Sequence, residues 1–208
     1  TEYRSEYTRR YTNQMLRYNN NWGKHSLNAL AAYEFNDYVG KTLDVYGTGL
    51  LPGFEVLDVV SKPERTQGGI SEWAVQSLLV NANYAYDGKY LAQVSFRRDG
   101  ASNFGKKYGN FFSVSGGWNI NRESWFKTDL INTLKLRAAY GTVGNHPSSL
   151  YPQYDLYSVN PAAGYNSVPC LLISQIGNKD LTWEETYTSG VGLDLAAFNN
   201  RQLHDFFL

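Results

Sequence analysis

The feature that most constrains this chain is a run of strict two-residue alternation, interrupted once by a turn. Leu78, Val80, Ala82, Tyr84 and Tyr86 are apolar or aromatic, while the positions between them, Leu79 apart, are small or polar. Successive side chains of a strand point to opposite faces, so this run makes a β-strand with one apolar face. After Asp87-Gly88-Lys89 the pattern resumes as Tyr90, Ala92, Val94 and Phe96 against Leu91, Gln93, Ser95 and Arg97. A three-residue loop, with Gly88 or Lys89 left-handed, sets Tyr86 against Tyr90, Tyr84 against Ala92 and Ala82 against Val94. A two-residue Asp-Gly loop would pair Tyr84 with Leu91 and put Gln93 and Ser95 on the apolar face. A slip of one residue inverts both faces, so the three-residue loop is expected.

The same test divides the rest of the chain. Arg10 to Trp22 reads as a first strand, with Leu16 and Tyr18 on one face and Arg17 on the other. A four-residue turn, Asn21 to Lys24, pairs Tyr18 with Leu27 and leads into Ser26 to Asn36, where Leu27, Ala29, Ala31, Tyr33 and Phe35 share a face. Tyr38 to Glu72 loses the alternation and holds Gly47, Gly49, Pro52, Gly53, Pro63, Gly68 and Gly69, which predicts a long loop. Beyond the central hairpin, Asp99 to Gly109 is a connection and Phe111 to Ile120 a fifth strand. Asn121 to Asn132 has room for a helical turn with Trp125 and Phe126 packed inward, and Leu134 to Val143 is a sixth strand. Gly144 to Leu181, rich in Asn, Pro, Ser and Tyr, predicts a second long loop, and Tyr187 to Leu195 a seventh strand. Phe198-Asn199-Asn200-Arg201 predicts a tight turn, and Gln202 to Leu208 is a poor strand start.

Two regularities favour a membrane β-barrel. Arg17, Glu34, Arg97, Lys135, Arg137 and Asp194 all fall on the non-apolar parity, as they must if the other face meets lipid, where a basic residue at mid-membrane costs roughly 2–4 kcal/mol. A soluble sandwich keeps the same parity, because its apolar face meets a core. The connections also alternate short and long, and the strands run to about 10 residues against a usual mode of about 5–6 in soluble sheets. The expected fold is therefore all-β, an antiparallel meander of about seven long strands belonging to a large transmembrane barrel. The alternative is a soluble or surface-attached binding module, an adhesin or carbohydrate-binding sandwich, with Val80, Ala82, Tyr84, Val94 and Phe112 buried against a second sheet.

Composition sets further bounds. No run of about 18 apolar residues exists, which excludes a spanning helix and leaves barrel strands open. A formal net charge of zero gives no general attraction to nucleic acid. Cys170 is the one cysteine, so neither an internal disulfide nor a multi-cysteine metal site can form. The opening TEYRSEYTRR has no apolar core of a signal peptide, which is absent or lies outside this sequence.

Four segments carry a family resemblance: Arg98 to Gly105 (RDGASNFG), Ser113 to Ile120 (SVSGGWNI), Leu134 to Asn145 (LKLRAAYGTVGN) and Gly177 to Thr186 (GNKDLTWEET). In this order, with the Tyr-Asp-Gly-Lys-Tyr turn and the ending Leu-Asp-Leu to Phe-Asn-Asn-Arg, the chain resembles the barrel of SusC/RagA TonB-dependent outer-membrane transporters. Asn103 stands where that family often has Arg, and Lys179 where it usually has Pro. The resemblance implies that residues 1–208 are a partial barrel domain of a 22-stranded architecture, lacking the plug, the TonB-contacting segment and the remaining strands. A piece of this size should be unable to transport by itself.

For the parent the resemblance implies import of oligosaccharides or peptides, captured under a SusD-like surface lipoprotein, with energy delivered by TonB through an N-terminal region. Tyr38 to Glu72, Asp99 to Gly109 and Gly144 to Leu181 are then extracellular. Tyr151, Tyr154, Tyr157 and Trp183 become candidates for stacking on sugar or touching the lid, and Arg97, Lys135 and Arg137 face the lumen. Of these, Arg97 and Arg137 are the candidate charged ligand contacts. Loop packing and ion pairing are the commoner uses of such residues.

Other signals carry little weight. Gly100 to Lys107 falls short of a phosphate-binding loop, since Lys107 replaces the magnesium-binding hydroxyl and a strand follows. Glu184 and Glu185 are adjacent on a strand and point to opposite faces, so they cannot flank one bond. His25, His146 and His204 are scattered, and no catalytic set, cofactor or metal is expected. Asp99, Ser102 and Asn103 suit a hydrogen-bonded turn better than a calcium site.

Overall fold

The computed structural model describes residues 1–128, 130–146, 149–165, 168–198 and 202–207, with side chains described outside 160–169 and 202–207. Its strands are β1 (Glu2–Trp22), β2 (His25–Leu50), β3 (Val60–Tyr86), β4 (Tyr90–Ala101), β5 (Tyr108–Asn119), β6 (Ile131–Asn145), β7 (Leu156–Tyr165), β8 (Val168–Gln175), β9 (Glu184–Ala197) and β10 (Gln202–Phe207). Eight of them form one antiparallel sheet in the order β1-β2-β3-β4-β5-β6-β9-β10, and β7 and β8 make a separate hairpin. The seven expected strands are all present. The weakly patterned tail adds an eighth, β10, paired with β9.

The central hairpin has the expected register, Tyr86 against Tyr90, Tyr84 against Ala92 and Ala82 against Val94. The left-handed positions are Asp87 (φ 53°) and Gly88 (φ 63°) rather than Lys89. The Arg122 guanidinium lies across Gly88, where a Cβ would stand 2.1 Å from it and make that side chain move aside. At the first turn the structure corrects the four-residue loop. Trp22 pairs with His25 around a two-residue turn, so Tyr18 meets Ala29 rather than Leu27. The difference is two residues, and the apolar faces still coincide.

The segment Tyr38 to Glu72 is not a loop. β2 and β3 stay paired from His25/Tyr86 up to Leu50/Val60, with an irregularity at Tyr46/Gly47, and β1 follows as far as Glu2/Val45. These three strands rise well past Val75/Ala101, where β3 leaves β4. Their upper part has water on both sides, so nothing selects an apolar face and the two-residue hydropathy signal disappears. The same reason applies to β7 and β8 inside the expected loop Gly144 to Leu181. Leu156, Tyr157, Val159, Leu171 and Ile173 on that hairpin are all exposed. The helical turn expected after β5 is a single 3-10 turn, Ile120–Arg122.

The face carrying Val80, Tyr84, Val94, Phe96, Phe112, Val114 and Val191 is bare: Val94 is 53% exposed, and no second sheet covers it among the described residues. A soluble sandwich requires these side chains to be buried. Aromatic rows bound the band. At the short-turn rim Trp22, His25, Tyr86, Tyr90, Trp118 and Trp125 follow one another with centroids 4.9–6.4 Å apart. Farther up, the Gln76 side chain donates to the Tyr108 hydroxyl (2.8 Å) and accepts from that of Tyr33, while Arg98 lies over the Tyr108 ring. From Tyr86 to Gln76 the strand runs about 34 Å, or about 26 Å at a tilt of about 40°, which matches an apolar barrel band about 25 Å tall. The opposite face is polar and holds a recess of about 500 Å³ touched by residues from β2, β3, β4, β5, β6 and β9.

The short-turn rim is tied together electrostatically. Lys24 of the first turn pairs with Asp87 of the second at 3.0 Å. Glu123, after β5, accepts hydrogen bonds from the Tyr90 hydroxyl (2.7 Å), the Trp118 indole (3.0 Å) and Lys89 (3.3 Å). The hydrogen bonds from Tyr90 and then Trp118, with help from Lys89, hold the Glu123 carboxyl below the usual carboxylate range.

Two outcomes follow for the full-length receptor. Val94→Arg, at the middle of the bare face, should destabilise the barrel in lipid vesicles by roughly 2–4 kcal/mol in a urea titration, and Ser95→Arg on the polar face by much less. Glu123→Gln should lower the thermal midpoint at neutral pH. Because the folded-state pKa is depressed, this stabilisation is present above the ordinary carboxylate pKa and is lost as pH falls through the lowered value. The gap between wild type and variant should therefore close on acidification.

Candidate functional site

At the long-loop rim, two of the sequence segments interlock. β5 places Phe111 on the polar face of the sheet, where an apolar ring has to be covered. Phe104 and Trp183 cover it, with ring centroids 4.8 Å apart for Phe104 and Trp183 and 5.5 Å for Phe111 and Trp183. Phe104 is 1% and Trp183 7% exposed, and with Ala101 and Phe111 they form the main apolar core among the described residues. The Trp183 indole donates to Lys107 O (3.0 Å), and Lys106 N–H donates to Leu181 O (3.0 Å). Two glycines permit the fit. A Cβ on Gly105 would stand 1.8 Å from Lys179 O, and one on Gly144 would stand 2.0 Å from the Phe111 ring. Trp183, a candidate stacking residue from the sequence, is thus placed as a packing residue, because Phe104, Phe111 and an edge-on His146 surround its ring.

Tyr151 and Tyr154 come together at a second place. Where β3 outruns β4 its edge is unpaired, and the chain from Ser149 to Asp155 runs along it. Glu72 N–H donates to the Tyr151 hydroxyl (2.9 Å), the Gln153 amide donates to Ser102 O (3.1 Å), and the Asn103 amide donates to Ser149 O (3.2 Å). Ser102 and Ala74 exchange hydrogen bonds below them. Gln175 closes the stem of the β7–β8 hairpin by donating to Tyr151 O and Tyr154 O. The result is a recess of about 360 Å³, lined by Tyr151 and Tyr154 from the loop and by Tyr38, Trp73 and the Arg10–Asp37 ion pair from the sheet. Tyr38 escaped the sequence reading because it opens the stretch taken for a loop, and Trp73 because it lies between that stretch and the strand read from Leu78. Tyr157 stands apart on β7, 58% exposed.

The two candidate arginines face the polar side in separate recesses. Arg97 donates to both oxygens of Asp99 (2.7 Å) and to the Ser77 hydroxyl (3.1 Å), with Glu34 at 4.0 Å, in a recess of about 510 Å³ beneath Trp183. Arg137 pairs with Asp194 at 3.0 Å and shares the recess of about 500 Å³ with Lys135. Both long cations lie over cross-strand glycines. A Cβ on Gly192 would stand 2.7 Å from Arg137 Nε, and one on Gly117 would stand 3.3 Å from Lys135 Cε. Of the near-motifs, Gly100 to Lys107 leads into β5 rather than a helix, and Asp99, Ser102 and Asn103 are occupied as described.

Long antiparallel strands with a bare, girdled apolar face and a polar, charged opposite face are the wall of a transmembrane β-barrel. The chain matches no protein-family model. It is 43% identical over 131 residues to TonB-dependent receptor P39 of Formosa agariphila, covering 62% of this chain and 12% of the relative. It is 32% identical over 214 residues to TonB-dependent receptor P3 of the same organism, covering 96% of this chain and 21% of the relative. Among solved structures, a chain of the RagAB peptide transporter superposes with a TM-score of 0.78 at 27% identity, over 99% of this chain and 23% of that one. The RagAB peptide importer in its closed-closed state gives 0.75 at 28%, over 98% and 23%.

The chain belongs to the TonB-dependent receptors of the outer membrane and is a stretch of a SusC/RagA-type barrel. It spans about a fifth of the length of the relative that it matches nearly throughout. In the full-length receptor, Trp183→Ala should cost about 3–5 kcal/mol in chemical unfolding, as large-to-small changes in packed aromatic sites do, and Trp183→Phe distinctly less.

Proposed function

We propose that residues 1–208 are a partial barrel domain of an outer-membrane importer that takes up oligosaccharides or peptides with energy supplied through TonB. One observation carries this reading: the bare apolar band is backed by a polar, charged inner face, and the long-loop rim folds onto the sheet around an aromatic recess. Such a wall suits a passage for polar solutes, and relatives that are receptors and transporters agree with a role other than catalysis.

In this reading Tyr151 and Tyr154 contact substrate at the rim, Arg97 and Arg137 meet it or the plug deeper in the lumen, and Tyr157 on the exposed hairpin faces a SusD-like lid lipoprotein. Contact with TonB is made by an N-terminal region outside this sequence. The RagAB structures, named for a peptide importer, support a two-protein assembly of this type.

Uptake of a labelled oligosaccharide and oligopeptide panel by cells expressing the full-length receptor tests this. Uptake of at least one probe should stop when an uncoupler dissipates the proton motive force, and the double variant Tyr151→Ala/Tyr154→Ala should lower it several-fold at unchanged receptor level. Uptake that persists in the uncoupler, or no receptor-dependent uptake, would refute the reading.

A further inference from the structure

The outward side of the sheet changes character at the long-loop boundary. Its parity runs from Val80 through Gln76 and Ala74 to Glu72 on β3, and across to Asp37 and Val39 on β2 and Arg10 on β1. On β4 it runs from Val94 to Arg98. All of these residues therefore stand on the side that meets hydrocarbon lower down. Arg98 is exposed and lies over the Tyr108 ring, 4.9 Å from its centre, and no carboxylate among the described residues is within ion-pair reach of it. Arg10 is held by Asp37 through Nε and Nη2, which leaves Nη1 unbonded among the described residues, and its side chain is 71% exposed. The recess bounded on its loop side by Tyr151 and Tyr154 takes its sheet wall from this same parity, from Arg10, Asp37, Val39, Glu72 and Ala74.

Height decides what meets this surface. Gln76 and Tyr108 close the apolar band, and Ala74 and Glu72 lie two and four residues beyond Gln76. At about 3.3 Å per residue and a tilt of about 40°, they stand about 5 and about 10 Å above it. The polar layer outside a hydrocarbon core is about 5–8 Å thick on each side, so the recess lies at the level of lipid headgroups. The two boundaries of the band also differ. Within the paired strands, the outward parity at the short-turn boundary runs Trp22, His25, Tyr86, Tyr90 and Trp118, with no lysine or arginine. Only the long-loop boundary, which in such barrels is the outer one, places guanidinium groups toward the membrane. Basic side chains at that depth are attracted to anionic headgroups. Glu72 is the one carboxylate of the recess outside an ion pair, and it suits an amine or hydroxyl of the same headgroup.

We propose that this outward surface holds a phosphorylated lipid of the outer leaflet, with Arg98 and Arg10 donating to headgroup phosphate and Glu72 accepting from its amine or hydroxyl groups. The acyl chains lie along the bare band below, on Val80, Val94 and Phe96. The proposal does not depend on the importer reading, because Tyr151 and Tyr154 form only the loop wall of the recess and the cations belong to the sheet.

The test is native mass spectrometry of the detergent-purified full-length receptor incubated with bisphosphorylated lipid A, with its dephosphorylated form and with inorganic phosphate. Lipid A should bind, the dephosphorylated form several-fold more weakly, and excess inorganic phosphate should not displace the lipid. Arg98→Gln should weaken lipid A binding about 2- to 5-fold, as loss of an exposed ion pair does, and Arg98→Lys should retain most of it. Arg10→Gln is made together with Asp37→Asn, so that no carboxylate is stranded, and should weaken binding to a similar degree. Lys41→Gln, on the same side but paired with Ile70 about 15 Å above Gln76, should leave it unchanged. Heat-modifiability on gels checks that each barrel is folded. In intact cells a photo-crosslinking amino acid at Asn110, which pairs with Arg98 on the outward parity, should capture lipid. Equal binding of the two lipid forms, displacement by inorganic phosphate, affinity unaltered in the combined Arg10→Gln/Asp37→Asn/Arg98→Gln variant, or capture of a protein in place of lipid at position 110 would overturn the proposal.

Discussion

The constraint on which the rest depends is that each main-chain amide in the membrane must bond to a neighbouring strand while one side of the sheet faces hydrocarbon. These demands together leave the chain a single parity. Once Tyr86 pairs with Tyr90, the apolar runs Val80 to Tyr86 and Tyr90 to Phe96 are committed to one side, with Leu79 and Leu91 left on the other, and the ladder hands that choice on through Val94/Val114 and Gly116/Ala138 to Ala138/Val191. The positions of Arg97, Lys135, Arg137 and Asp194 are consequences of that choice.

This explains how much could be read from sequence. Within the apolar band the two sides have opposite solvents, so the alternation is strong, and the hairpin register, the strand order of the meander and the parity of the charges were legible. Above the band both sides meet water. β2 and β3 continue there on paired backbone alone, with Gly68 and Gly69 inside a strand, and the stretch from Tyr38 to Glu72 looked like loop. Glycine and proline counts mislead in such a ribbon because the hydrogen bonds, which sequence does not display, hold it.

The candidate site was legible in part for the same reason. Tyr151 and Tyr154 could be found as loop aromatics, and the structure brings them together. Trp183 looked equivalent, yet its partners Phe104 and Phe111 lie 79 and 72 residues away by number, and only the fold shows that its ring is enclosed. Two glycines of these segments are explained by contact rather than by turn geometry: Gly105 and Gly144 are where another piece of the chain passes too close for a Cβ.

The glycines opposite the lumen cations have a different consequence. Arg137 reclines across Gly192 and Lys135 across Gly117, so two of the longest side chains hug the wall instead of projecting from it. A conduit lined in this way keeps positive charge on its surface while giving up little of its clearance. Replacing Gly192 with a larger residue would push the Arg137 side chain off the wall and narrow the bore, without altering a single charge.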